Sequence, residues 1–136
     1  MIKLIIGKKG TGKTKTLIDL VNTALSTSEG AVVCIEKGDK LRLAINYKCR
    51  LIDTEEYSIV DGETLYGFVA GILASNHDVT DLFIDSALKI CQNDAATFDK
   101  FLDAVDALTK SREVNIVITS SLAPEDATEK VLSYVK

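Results

Sequence analysis

Ile2-Lys3-Leu4-Ile5-Ile6-Gly7-Lys8-Lys9-Gly10-Thr11-Gly12-Lys13-Thr14 is the stretch whose reading decides the fold. Its apolar run, Ile2 to Ile6, has the length of a strand and stops at Gly7. From Thr14 the spacing changes, and Leu17, Leu20, Val21 and Leu25 form one stripe at helical period. A strand that feeds a helix through a glycine-rich turn is the first half of a βαβ unit. The turn fits G-x-x-x-x-G-K-[ST] in full, with Gly7, Gly12, Lys13 and Thr14 at the fixed positions. Gly12 lets the main chain approach an anion with no side chain in the way. Successive backbone N–H groups then form an anion nest at a helix N-terminus. Lys13 adds an ammonium for phosphate oxygens, and the Thr14 hydroxyl suits Mg²⁺.

Downstream, strand and helix patterns alternate. Ser26 to Gly30 closes the first helix, and Ala31 to Ile35 reads as a second strand with Glu36 at its end. Leu41, Leu43, Ile45, Tyr47, Cys49 and Leu51 share one parity, the period of a half-buried strand, so two short strands and a turn are expected there as an edge elaboration. Asp53 to Glu56 is an acidic loop. Gly62 to Ser75 predicts a helix capped by Asp61, with Leu65, Phe68, Val69, Ile72 and Leu73 inward, and with Gly67 and Gly71 allowing close helix packing. Leu82 to Ile84 is a buried strand ending at Asp85, Ala95 to Lys110 a second amphipathic helix, and Asn115 to Ile118 the last core strand, followed by Thr119. Pro124 suits the first turn of a C-terminal helix that carries Val131, Leu132 and Val135. The expected architecture is α/β, a three-layer parallel sheet with helices on both faces and a short antiparallel edge, in one domain over residues 1–136.

Composition narrows the function. The chain has 136 residues, 46% hydrophobic and 26% charged, which are globular values. No apolar run approaches the ~20 residues of a membrane span, and the N-terminal run has no basic stretch before it, unlike a signal peptide. The formal net charge of −4 opposes nonspecific nucleic-acid binding. Cys34, Cys49 and Cys91 are odd in number with no CxxC, and His77 is the sole histidine. That excludes a disulfide framework and a zinc site, and it fits buried thiols in a reducing cytoplasm.

The loop at Gly7–Thr14 and the carboxylate of Asp85 resemble the Walker A and Walker B motifs of the P-loop NTPase superfamily. The whole chain is also similar to short bacterial single-domain ATP-binding proteins of that kind. The resemblance implies a P-loop NTPase-like sheet, with ATP and Mg²⁺ as ligands. It assigns Gly7, Lys8, Lys9, Gly10, Thr11, Gly12, Lys13, Thr14 and Lys15 to the nucleotide, and Thr14 and Asp85 to the metal. A deviant loop, with Lys8 reaching into a partner subunit, would continue with Gly-Gly, and Lys9 breaks that pattern.

Ser86 follows Asp85, so the Asp-Glu pair that often orients the attacking water is missing. Glu36 at a strand end is the best substitute, with Asp53, Glu55 and Glu56 behind it. The last strand is expected between the phosphate-loop strand and the Asp85 strand, which would bring Thr119 to the γ-phosphate as a polar sensor. Arg42, Arg50 and Arg112 are the arginine-finger candidates, and no NKxD segment supports GTP. Lys13, Glu36 and Thr119 are thus the expected catalytic set. Three functions stay open: a slow Mg²⁺-dependent ATPase or nucleotide switch, a small-molecule kinase, and a non-hydrolysing regulator acting through a protein partner. Besides the nucleotide, a protein partner or a second copy of the chain is the expected associate, and neither a membrane nor nucleic acid is.

Overall fold

Strand β1 (Ile2–Gly7) enters the glycine-rich turn, and helix α1 (Lys13–Thr27) leaves it, in a computed structural model that describes residues 1–135. The chain continues through β2 (Ala31–Glu36), β3 (Arg50–Asp53), a 3₁₀ turn (Thr54–Tyr57), α2 (Gly62–Ser75) and β4 (Val79–Ile84). A short α3 (Ala87–Ile90), then α4 (Ala95–Thr109), β5 (Asn115–Ser121), a second 3₁₀ turn (Pro124–Asp126) and α5 (Glu129–Tyr134) complete it. The five strands form one sheet in the order β1-β5-β4-β2-β3, and every neighbouring pair is parallel. The fold class is therefore the expected P-loop NTPase-like α/β sheet.

Parallel strands need both faces covered. Alternate residues of β2 divide accordingly: Val33 and Ile35 join one apolar cluster, Val32 and Cys34 the other. The larger cluster lies under α2 and α4, with Leu65, Val69, Phe98, Phe101 and Leu102 packed on Leu4, Leu82, Ile84, Ile116 and Ile118. Each such side chain, fully buried, contributes roughly 1.5–3 kcal/mol of transfer free energy. The smaller cluster sits under α1, where Leu17 and Val21 meet Val32, Cys34 and Phe83. Because α1 carries the chain from β1 across to β2, β5 and β4 lie between those two strands. The C-terminal ends of all four therefore line up along one edge, where ligands of open α/β sheets bind.

Three expectations need correction. The edge is parallel rather than antiparallel, and only Arg50–Asp53 of the alternating stretch is a strand. Within Leu41–Cys49 the chain makes turns, with Ile45 N–H donating to Leu41 O and Cys49 N–H to Asn46 O. The buried residues are Leu41, Ile45 and Cys49, every fourth position, whereas Leu43 and Tyr47 are exposed. Asn22 of α1 holds this segment by donating to Ala44 O and accepting from Asn46 N–H, which engages backbone groups an edge hairpin would need.

The second correction concerns glycine. Gly67 and Gly71 face open space, and the close approach is at Gly62, where a Cβ would stand 2.8 Å from Thr97 O. Third, Pro124 starts a 3₁₀ turn, and the C-terminal helix begins only after Thr128, whose hydroxyl accepts from Val131 N–H. Val131 is buried there, but Leu132 and Val135 are largely exposed.

Elsewhere the expected helices and strands stand within a few residues of their predicted bounds. Asp61 caps α2 in a reciprocal box with Thr64. All three cysteines are free and buried, and burial raises the Cys49 thiol to about 11 and the Cys91 thiol to about 12. Among the described residues no helix is long and apolar enough to cross a membrane.

Candidate functional site

The loop between β1 and α1 folds on itself around the Lys8 carbonyl. That oxygen accepts from Thr11 N–H (3.3 Å), Thr11 Oγ1 (2.7 Å) and Lys13 Nζ (2.8 Å). Gly7 is needed because Thr11 packs against it: a Cβ at residue 7 would lie 2.6 Å from Thr11 Oγ1. Gly12 has φ 86°, in the left-handed region, and hands the chain into α1 with no side-chain cap. The first N–H groups of α1 therefore keep their hydrogen-bonding capacity for a ligand at the loop mouth, where the helix dipole favours an anion. Lys13 is 8% exposed, so its ammonium is held inside the loop.

Asp85 faces this loop from the end of β4. Its Oδ1 accepts from Thr119 Oγ1 at 2.7 Å and lies 3.4 Å from Thr14 Oγ1. Thr119 is itself fully enclosed in the sheet; it accepts from Ser86 N–H at 2.9 Å and spends its one proton on Asp85. Ser86 takes a left-handed backbone to start α3, and its hydroxyl reaches Asp85 Oδ2 at 3.4 Å. This arrangement depends on β5 lying between β1 and β4, as expected from the sequence.

One carboxylate and one hydroxyl on facing elements is a donor set that fits Mg²⁺. That ion keeps several waters and binds through one or two carboxylates plus substrate phosphates. Among the described residues no group of three or more His, Cys, Asp and Glu could hold a metal on protein ligands alone.

Glu36 stands beside Asp85 across the β2–β4 pair, and Asp85 N–H donates to Ile35 O. Its carboxylate is buried and engaged: Oε1 accepts from Lys40 N–H (3.2 Å) and Oε2 from Leu41 N–H (3.1 Å). Burial raises its pKa above the ordinary carboxyl value. The two backbone donors lower it again, and the charges of Asp85 and Asp53 raise it. Asp53 accepts from Gly38 N–H and Glu55 N–H, so it caps a turn, and Glu55 and Glu56 lie exposed in that turn.

These elements enclose a cleft of about 660 Å³. Lys9, Gly10, Gly12, Lys13, Thr14 and Lys15 line one end, Asp85 and Thr119 the middle, and Glu36 the other end. Gly7, Lys8 and Thr11 shape the loop from behind, Lys8 through its carbonyl. The arginines stay outside: Arg42 and Arg50 are exposed near the β3 edge, and Arg112 reaches Leu73 O at the opposite end of the sheet. Sequence reasoning missed Ser86, Lys37, Lys40 and Lys89 on the cleft wall. The rule that singled out Glu36 and Asp85, position at a strand's carboxyl end, would also have found Lys37 and Ser86.

No family model matches the chain, and no curated protein matches it in sequence. Among solved structures it is similar to the flagellar accessory protein FlaH from Methanocaldococcus jannaschii, with a TM-score of 0.67 and 18% identity. The similarity covers 97% of this chain and 65% of that one, so the chain spans less than two thirds of that protein's length. At this identity the likeness establishes the fold, and function has to be argued from the site.

Proposed function

We propose that this chain binds Mg²⁺·ATP on the Gly7–Thr14 loop and hydrolyses it slowly or uses it as a conformational switch. The observation that carries this reading is the meeting of Thr14, Asp85 and Thr119 at the mouth of an anion-binding loop. In this reading the loop amides and Lys13 hold the β- and γ-phosphates. Bound Mg²⁺ would be held by Thr14 and Asp85, and it supplies charge neutralisation on the phosphate oxygens. Thr119 is a positioning residue that fixes the Asp85 carboxylate, and Lys9 and Lys15 add positive potential at the entrance.

Glu36 is the water-orienting candidate. Its two bonds to loop amides have to loosen before it can act, which supports slow turnover. The same bonds favour a second reading, a nucleotide-binding regulator without turnover.

Calorimetric titration of Mg²⁺·ATP into wild type and Lys13→Ala, with ADP production followed in the same samples, tests the proposal. Saturable binding that the variant loses is the expected result. ADP release by wild type alone then selects the ATPase over the passive regulator. A wild type that ignores millimolar ATP contradicts the proposal.

A further inference from the structure

The cleft carries more positive charge than a magnesium-bound triphosphate requires. Lys9, Lys13, Lys15, Lys37, Lys40 and Lys89 line it against only two carboxylates, Glu36 and Asp85. Four positive charges remain, in a chain whose net charge is −4. A triphosphate with Mg²⁺ bound offsets about two of them. The single ion pair among the described residues, Lys130–Asp103, lies elsewhere, so the cleft lysines have no carboxylate partners there.

The surplus is not spread evenly. Lys9, Lys13 and Lys15 belong to the phosphate-loop end. Lys37 and Lys40 follow β2, which stands three strand spacings from β1, or roughly 14 Å. Lys89 lies on α3, just after Asp85. Asp85 Oδ1 is 3.4 Å from the Thr14 hydroxyl, so a γ-phosphate held by Lys13 and Thr14 would sit on the β1 side of the β2 lysines.

Their backbones are fixed. The Lys37–Lys40 turn is tied by Glu36 to Lys40 N–H and Leu41 N–H, and by Asp53 to Gly38 N–H at 2.8 Å. Helix α3 is seated by Leu88 N–H on Ser120 Oγ and by the buried Ala87, Leu88 and Ile90. Three exposed lysines on fixed backbones, each with a flexible stem, line this end of the cleft and suit a compact dianion approached as a point charge.

We infer that Lys37, Lys40 and Lys89 form a second anion subsite, for a small phosphate-bearing ligand that binds beside the γ-phosphate of the nucleotide. The inference rests on the nucleotide reading given above and adds a second ligand to the same cleft. Whether the ligand is a phosphate monoester or free phosphate is a matter of which fits better under the same three lysines.

The test saturates the protein with Mg²⁺ and the non-hydrolysable imido analogue of ATP, then titrates inorganic phosphate by calorimetry. One phosphate per chain is expected. Its affinity should fall roughly tenfold in the Lys37→Ala/Lys40→Ala double variant and roughly threefold in Lys89→Ala, while affinity for the analogue changes less than about twofold. Glycerol 3-phosphate in place of phosphate identifies the source: tighter binding of the ester assigns an esterified ligand, tighter binding of phosphate a released one.

Loaded wild type that takes up no phosphate overturns the subsite, as does unchanged phosphate affinity in the variants. If the variants weaken the analogue as much as the phosphate, the lysines serve the nucleotide and the subsite is overturned. Failure of the analogue itself to bind overturns the nucleotide reading and the subsite with it, and it is read in the first titration, before any phosphate is added.

Discussion

At one end of the cleft the chain presents backbone. Residues 8–14 wrap around the Lys8 carbonyl, a left-handed Gly12 turns them into α1, and the N–H groups at the start of that helix face the mouth. At the other end it presents side chains on a segment with no regular structure, residues 37–49, held by Glu36 and Asp53 from the sheet side and by Asn22 from α1. The first end is shaped by local spacing, the second by contacts between residues 4 to 24 positions apart. Substitutions should therefore affect nucleotide binding at the first end, and at the second end changes to the buried residues Leu41, Ile45 and Cys49 should affect stability.

The largest expected effect separates two residues of one parity in the second region. Ile45→Ala should cost about 2–5 kcal/mol in denaturant unfolding, because Ile45 is buried under α1. Leu43→Ala, at a fully exposed position, should stay within about 0.5 kcal/mol. Equal losses would mean that both side chains pack, as in a strand.

Next comes Lys13→Ala. It should lower Mg²⁺·ATP affinity by roughly a hundredfold, the loss of a charge-assisted contact, and barely shift the unfolding midpoint. A large stability loss with unchanged affinity would make Lys13 a structural clasp on Lys8.

Glu36→Ala should cost about 1–3 kcal/mol by orphaning the Lys40 and Leu41 amides. Hydrogen exchange at those two amides should accelerate while the amides of α1 keep their protection. At the smaller end, Gly67→Ala and Gly71→Ala should each stabilise α2 by about 0.5–1 kcal/mol, because both positions are helical and open. Destabilisation by either would show that the α2 surface is covered by something.

The smallest effect is a slope with pH. The folded state raises the Glu36 pKa, so it holds that proton more tightly than the unfolded chain. The contribution of Glu36 to stability is then greatest below the ordinary carboxyl value and declines as pH rises through the raised one. Glu36→Gln should remove that decline from a pH series of unfolding midpoints.

The legible part of the molecule was the part with a chemical reason at each position. Gly7, Gly12, Lys13 and Thr14 stand where a phosphate-holding turn would require them, and Asp85 at the end of a buried strand. The order of β1, β5 and β4 is favoured over direct adjacency of β1 and β4 without a deciding residue, and the sheet has that order, with Thr119 donating to Asp85.

The Leu41–Leu51 stretch misled because a period of four is contained in a period of two: Leu41, Ile45 and Cys49 satisfy both. Nothing local separates the two, and Asn22, some twenty residues earlier, decides between them. Gly67 and Gly71 misled in a similar way, since helical spacing says which residues share a face and not what lies opposite. The engagement of Glu36 with loop amides was invisible for a further reason. A carboxylate at a strand end reads the same whether it faces water or caps the next turn.

The central claim is that the loop at residues 7–14 and Asp85 form one working nucleotide site. The most direct measurement is amide NMR of the labelled protein during titration with Mg²⁺·ATP, followed residue by residue. On that claim, saturable shifts concentrated at Gly10–Lys15, at Asp85 and Ser86, and at Thr119 are expected. Shifts confined to the groove of Asn22, Leu25 and Lys48 on the far side of α1, or no shifts at millimolar nucleotide, would contradict it.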